Sequence, residues 1–412
     1  MFAAALSGAP ARRFFAAHAQ SCLGSGVAAV ALSLLAYERF ENAWAIAAVL
    51  VPDLLPAIVL GPLLGALVDR IGWRTCAVVG DVLRCFAFTV ILFADSLTLM
   101  IVGALIAGIG NALFGPSALS GLPRLLRGER GRAAGLGLYS AIDDLGLTAG
   151  PALAAMALAV VSPSALIGFN ALTFGVSALL LAGVRGDVGG SAAARGTTTL
   201  MADARAGVRE LAGRPEIRTL LMASTGVVLC IGITNVGEVF LAREVLGVGG
   251  SGLALMVAAG GLGTVLGSLC TRFTSGRSWM WRRAYGIGLA AMAVDLFVCA
   301  FAGSIWLIVP ALMLGGFGNG LALVHDRMLL SRSTPETLHG RLFGLQKTCI
   351  SFAFAVSFLL SGALISGVGV QGAFFAMGVG LALVMVTALP RLRAAWPTPP
   401  SGRPPALGDA LA

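Results

Sequence analysis

Apolar runs of about 20 residues, the length at which a helix rising 1.5 Å per residue crosses the hydrocarbon core of a bilayer, follow one another through the whole chain. Twelve are separated by polar breaks: 14–36, 43–67, 76–94, 97–120, 133–160, 164–184, 217–241, 250–271, 284–302, 304–329, 342–366 and 370–390. In hydrocarbon every backbone donor and acceptor must be satisfied inside the segment, so these runs are predicted to be helices. The alternation over about ten residues that marks a membrane-barrel strand is not seen. Composition agrees, with 58% hydrophobic residues and 11% charged, against about a quarter charged in soluble domains. The predicted fold class is an all-α membrane protein with twelve transmembrane helices.

The net charge of +9 does not point to nucleic acid, because the basic residues are spread over short breaks between apolar runs. If the N-terminus is cytoplasmic, the inside segments hold twenty-three arginines, from Arg12 to Arg403, and the outside segments hold only Arg39 and Arg243. That bias predicts both termini in the cytoplasm. The seven cysteines sit in or beside apolar runs without metal-like spacing, and no disulfide framework is expected. The first apolar run is long and continues into the repeated pattern, so it is expected to stay as a span rather than be cleaved. An arginine, alanine and glycine bias with a single lysine suggests a high-GC bacterium, and hence its inner (cell) membrane.

Organisation follows from the breaks. Residues 1–184 are expected to form an N-terminal six-helix bundle and 217–390 a C-terminal one. The cytoplasmic linker 185–216 between them contains either a short amphipathic helix at 199–213 or a flexible stretch. The tail 391–412, with five prolines, is expected to be disordered. Two local matches relate the halves. Gly108-Ile109-Gly110-Asn111 recurs as Gly316-Phe317-Gly318-Asn319, and Gly65 to Arg70 has a faded counterpart in Gly267 to Arg272. Parallel six-helix halves about a pseudo-twofold axis are an architecture that places a substrate site between them.

The break Gly65-Ala66-Leu67-Val68-Asp69-Arg70-Ile71-Gly72-Trp73-Arg74 concentrates glycine and charge between two apolar runs. It resembles the signature loop between the second and third helices of the major facilitator superfamily, with Gly65, Leu67, Asp69, Arg70, Gly72 and Arg74 matching and Trp73 in place of a basic residue. The resemblance implies a gating loop in which Asp69 holds the cytoplasmic side closed. Gly137, Gly146, Gly150 and Pro151 resemble the antiporter motif of drug exporters in the same superfamily, with Ala154 and Ala155 replacing its closing glycines. From the residues alone they are a seam of close helix packing at a compliant point. Leu55-Pro56, Asp81-Val82-Leu83-Arg84, Phe169-Asn170-Ala171-Leu172 and Gly340-Arg341-Leu342-Phe343-Gly344 are similar to the branch that includes macrolide efflux pumps and the enterobactin exporter. The fourth span lacks the arginine that many drug–proton antiporters carry.

Acids at membrane depth are the candidates for chemistry. Asp143 and Asp144 lie about ten residues into the fifth span, and Asp53 about ten into the second, where it could share a cavity with Asp143. A mid-membrane charge costs about 2.5–3.5 kcal/mol, so water, a partner or protonation must offset it. These three and Glu238, placed near the outer end of the seventh span, are the proton-coupling candidates. His18, His325 and His339 fall near helix ends or loops. Asp81 and Arg84, three residues apart, are expected to pair on one helix face. Asp295 stands alone in the ninth span without an evident role. His325, Asp326 and Arg327 suggest either an inner gate or a snorkelling helix end.

The resemblance implies secondary active export of a small amphipathic molecule, a drug, antibiotic or siderophore-like compound, against inward proton flow. Its partners would be that molecule, protons and the lipid bilayer, with no nucleic acid, in a monomer. Two other readings are an uptake symporter for a small polar metabolite and a non-transporting membrane sensor on the same fold. No P-loop, metal-ligand spacing or G-x-S-x-G is present, so no cofactor, metal or enzymatic activity is expected.

Overall fold

The computed structural model describes residues 6, 8–126, 128–158, 160–184, 213–274, 278–301, 303–334 and 339–395. Gly65, the side chains of Asp69 and Asp144, residues 185–212 and the tail from 396 onward lie outside the described residues.

Among the described residues the chain is helical throughout. The first six helices are α1 (Ala9–Phe40), α2 (Ala43–Ile71), α3 (Trp73–Leu92), α4 (Leu97–Leu125), α5 (Gly128–Leu158) and α6 (Pro163–Ala182). The remainder are α7 (Pro215–Ile231), α8 (Thr234–Phe240) continuing as a π-helical turn (Leu241–Val245), α9 (Gly249–Cys270), α10 (Ser278–Phe301), α11 (Ile305–Arg332) and α12 (His339–Ala395). Ten helices are long and apolar enough to cross a membrane. The last of these covers two spans, because Gly369 (φ 77, ψ 167) breaks α12 with a conformation that other residues rarely adopt. With α5, 31 residues long, the twelve predicted spans are accounted for.

The turns explain the boundaries. Gly72, at φ 102, closes α2 and opens α3 with no intervening loop. On the opposite side three helices start at side-chain caps, Asn42 accepting from the Trp44 amide, Ser96 from that of Leu99 and Ser162 from that of Ala165. The ends of α2, α4, α6 and α11 and the starts of α1, α3, α5, α7 and α12 share one face, which carries Arg12, Arg13, Arg70, Arg74, Arg124, Arg214, Arg218 and Arg332 and is called here the basic face.

The repeat seen in the sequence is a repeat of contacts. A Cβ added at Gly108 would overlap the backbone of Asp53, and one at Gly316 would overlap that of Gly260. Gly110 abuts the Gly80 carbonyl as Gly318 abuts that of Gly288. The same small-residue seams therefore pack α4 on α2 and α3, and α11 on α9 and α10.

The two sets of helices meet through α2 on α12 and α5 on α9. Gly362 lies against Trp44 and Ala47, and Gly261 against Ala152. Tyr37 meets Phe240 edge to face at 4.9 Å, and Arg243 donates to Glu38 at 3.2 Å. The bridges from α1 and α2 stand at the end of the bundle away from the basic face. One apolar core spans both sets there, whereas a second, around Phe14, Trp73 and Leu122, belongs to α1–α6 alone and lies near the basic face. Among the described residues the sets thus close against each other away from the basic face and part toward it.

Candidate functional site

A continuous line of side chains runs through all six helices of the first set. It starts at α5, where Asp143 accepts from the Cys22 thiol at 3.4 Å and lies 3.2 Å from His18 Nε2. The His18 ring, 3% exposed, stacks on Tyr139 at 4.3 Å with 2° between the planes, and Phe14 of α1 and Phe114 of α4 lie near it at 6.2 and 6.0 Å. Across Phe114 sits the Arg84 guanidinium, 4.4 Å from that ring and 4.3 Å from Phe174. Arg84 donates to Asp81, which also accepts from Ser177 of α6 at 2.6 Å. A branch leads to α2, since Arg84 donates to Asn111 Oδ1 at 3.2 Å and Asn111 donates to Asp53 at 2.9 Å.

The predicted Asp81–Arg84 pair is present, and it is more than a helix-face pair because it ties α3 to α4 and α6. Asp53 and Asp143 are not joined directly. Arg84 and Phe114 stand between their clusters. Exposure separates the two layers of the site. Asp81 is fully buried and Arg84 is 5% exposed, whereas the Asp143 side chain is 40% exposed and Asn111, midway along α4, is exposed. Lys347 on α12 lies within electrostatic reach of Asp143 and Cys22, so these groups face the space between the two sets.

Glycine fixes the register that makes the Asp143 cluster. Gly150 lies against Gly26, and Gly146 against the backbone of Cys22. These antiporter-motif positions are therefore where α5 touches α1 backbone to backbone, and one turn nearer the basic face the same register sets His18 beside Asp143. Gly137 is exposed and Pro151 half-buried, while Ala154 and Ala155 are buried. Gly26→Ala, whose Cβ would overlap Gly146 and Gly150, is expected to cost about 1–3 kcal/mol and lower the melting temperature in detergent; an unchanged melting curve would contradict this packing.

From the sequence His18 falls near a helix end, but α1 starts at Ala9 and His18 is a buried residue within it, beside Asp143. The signal was there in His18, Cys22 and Gly26, spaced four apart on one helix face opposite the Asp143 to Gly150 stretch.

In the second set the acids are dispersed. Glu238 is half-buried on α8, and the field of Asp295 reaches it. Asp295, 6% exposed, accepts from the Cys299 thiol at 3.5 Å. It fits because position 315 is glycine; any Cβ there would overlap its carboxylate. His325 and Asp326 are buried rather than snorkelling. His325 Nε2 is 2.6 Å from the Thr274 hydroxyl and Asp326 accepts from Gln346 at 2.6 Å. These bonds tie α11 to the end of α9 and to α12, and Arg327 is half-buried beside them. At the positions related by the repeat to Asp81 and Arg84 stand Leu289 and Met292. The buried Asp81–Arg84 pair therefore has no counterpart at these positions of the second set.

In the loop, Arg74 donates to the Ala182 carbonyl at the end of α6, and Arg70 is exposed. Trp73, where the loop pattern has a basic residue, is 2% exposed and wedged against Gly121 of α4. That position anchors α3 to α4 by packing instead of charge.

Two packed sets of spanning helices, related by an internal repeat and parting around acids at membrane depth, define a membrane transporter rather than an enzyme. The chain belongs to the major facilitator superfamily: the family model described by that name matches residues 14–282 and 246–410. The multidrug efflux pump Tap of Mycolicibacterium fortuitum is 26% identical over 389 residues, 90% of this chain and 93% of that protein. The methylenomycin A resistance protein of Bacillus subtilis is 42% identical over 89 residues, 21% of this chain and 19% of that protein. The crystal structure of the nucleoside transporter NupG superposes with a TM-score of 0.71 at 12% identity, covering 94% of this chain and 99% of that one. A POT family transporter in complex with a thioalcohol-conjugated peptide gives 0.70 at 13% identity, covering 92% and 96%. These two likenesses concern the fold alone.

Proposed function

We propose that this transporter exports a small amphipathic molecule from the cytoplasm in exchange for protons, by alternating access between its two sets of helices. The observation that carries the reading is Asp143, an acid at mid-membrane depth that is 40% exposed to the space between the sets and paired with His18. Such a group can bind a proton from one side and release it to the other. Export is supported by the full-length likeness to a protein named a multidrug efflux pump. It is also supported by the antiporter-motif glycines Gly146 and Gly150 at the α1–α5 seam.

The arginine asymmetry assigns the basic face to the cytoplasm, so both termini lie inside and the parted end opens inward. Reporter fusions after Arg195 and at the C-terminus are expected to report cytoplasm, and an extracellular signal from either would reverse the assignment. The Tyr37–Phe240 contact and the Glu38–Arg243 pair then form the outer closure that must part in the outward-open state. For Asp69 the proposed role is to hold the cytoplasmic side closed in that state. Helix-end charge contacts of this kind are worth about 0.3–2 kcal/mol, enough to bias a two-state carrier.

The function is tested in everted membrane vesicles incubated with a fluorescent amphipathic cation. Energised vesicles containing the protein are expected to accumulate it above control vesicles, and a protonophore is expected to abolish the difference. Accumulation that survives the protonophore would overturn proton drive, and no accumulation with any of a panel of amphipathic compounds would favour a sensor.

A further inference from the structure

We propose that His18 is a partner in the proton site, so that the exchanged proton is held between His18 Nε2 and Asp143 Oδ1 rather than on a carboxylate alone; this rests on the proton-exchange reading above. The two atoms are 3.2 Å apart, and they differ sharply in access. The Asp143 side chain is 40% exposed and that of His18 3%. Asp143 is therefore the side that meets water, and His18 the side that stores. On loading, a proton from water adds to the pair and converts imidazole and carboxylate into imidazolium and carboxylate, or imidazole and carboxylic acid. On unloading it returns to water on the other side, and only N–H and O–H bonds change.

The surroundings suit a ring that changes charge. Tyr139 stacks on one face at 4.3 Å and Phe114 lies parallel at 6.0 Å. Aromatic faces stabilise a cation while holding the ring in one orientation. The second nitrogen, Nδ1, lies 3.5 Å from the Cys22 sulfur, a weak acceptor for the N–H that appears when the ring is charged. Cys22 in turn donates to Asp143. The groups that face the pair are Cys22 on α1, Asp143 and Tyr139 on α5, Asp81 and Arg84 on α3 and Lys347 on α12. Of these, Arg84 is already paired with Asp81, and among the described residues the exposed Lys347 is a cation facing the pair from the other set of helices. Closing and opening of the space between the sets would move Lys347 relative to the pair. That supplies a link between conformation and proton affinity.

The test is nitrogen NMR of the full-length protein in lipid nanodiscs, isotope-labelled at its 3 histidines. His18 signals are assigned by their loss in His18→Gln or, should that variant not fold, by retention in the His325→Gln, His339→Gln double variant. The expected result is that the His18 nitrogens move between imidazole and imidazolium positions over the pH range in which the wild type exchanges protons. In Asp143→Asn the midpoint is expected to shift by at least about one pH unit, a tenfold change in proton affinity. His18→Gln in vesicles is expected to lose most of the proton movement that substrate addition drives, while substrate binding stays detectable. A His18 signal fixed in one state over that range and indifferent to Asp143→Asn, with proton movement intact in the wild type, would overturn this proposal alone. Absence of proton movement in the wild type would overturn it together with the exchange reading.

Discussion

Asp143→Asn together with Asp144→Asn abolishes uphill export in energised vesicles while leaving substrate binding detectable. The expectation follows from what drives the cycle. One proton moving down 100 mV is worth about 2.3 kcal/mol, which sustains a roughly fiftyfold concentration ratio of a neutral substrate. Without a group that binds and releases that proton at depth, the ratio collapses toward one although the helices still rearrange. Asp143 is suitably placed, since its carboxylate meets both His18 and the space between the sets. Accumulation is measured with and without an imposed gradient, and binding by fluorescence quenching on the same preparation. Unchanged coupled flux in the double variant would exclude the pair and move attention to Glu238 and Asp326. Asp53→Asn is expected to change affinity more than coupling, because Asp53 accepts from Asn111 beside the exposed surface of α4.

Arg84→Met is the most destabilising change expected in the bundle. Asp81, fully buried, would keep only the Ser177 hydroxyl, and the sandwich of Phe114 and Phe174 would lose the cation between them. Removing one partner of a buried ion pair costs about 3–5 kcal/mol. The expected outcome is a large drop in melting temperature or failure to accumulate in the membrane. Asp81→Leu added to Arg84→Met should recover much of that loss, since an apolar pair leaves no orphaned charge. If the single variant melts like the wild type, the network is not the structural tie that α3, α4 and α6 share.

The sequence made some of this legible and not the rest, for physical reasons. Spans were readable because hydrocarbon imposes a length and an apolar composition on each helix. The Asp81–Arg84 pair was readable because partners three apart on one helix need no tertiary knowledge. The His18–Asp143 pair was not read, although its register follows from two glycine contacts that bring α1 and α5 together at Gly26 and Gly150. Pairing across helices depends on such seams, and spacing within one helix does not reveal them until the partner is known. Asp295 was puzzling as a lone acid, and its setting depends on the absent side chain at Gly315 and the thiol of Cys299. The burial of His325 and Asp326, bonded to Thr274 and Gln346, also depends on neighbours brought together by tertiary packing.

The central claim is that substrate leaves the cytoplasm as protons enter. Simultaneous recording of substrate and proton fluxes in proteoliposomes of known protein orientation tests it most directly. With no proton gradient imposed, substrate moving down its own gradient from the cytoplasmic to the outer side is predicted to drive protons the opposite way. Reversing the substrate gradient should reverse the proton flux. Protons travelling in the same direction as substrate, or substrate flux with no proton movement, would contradict the account.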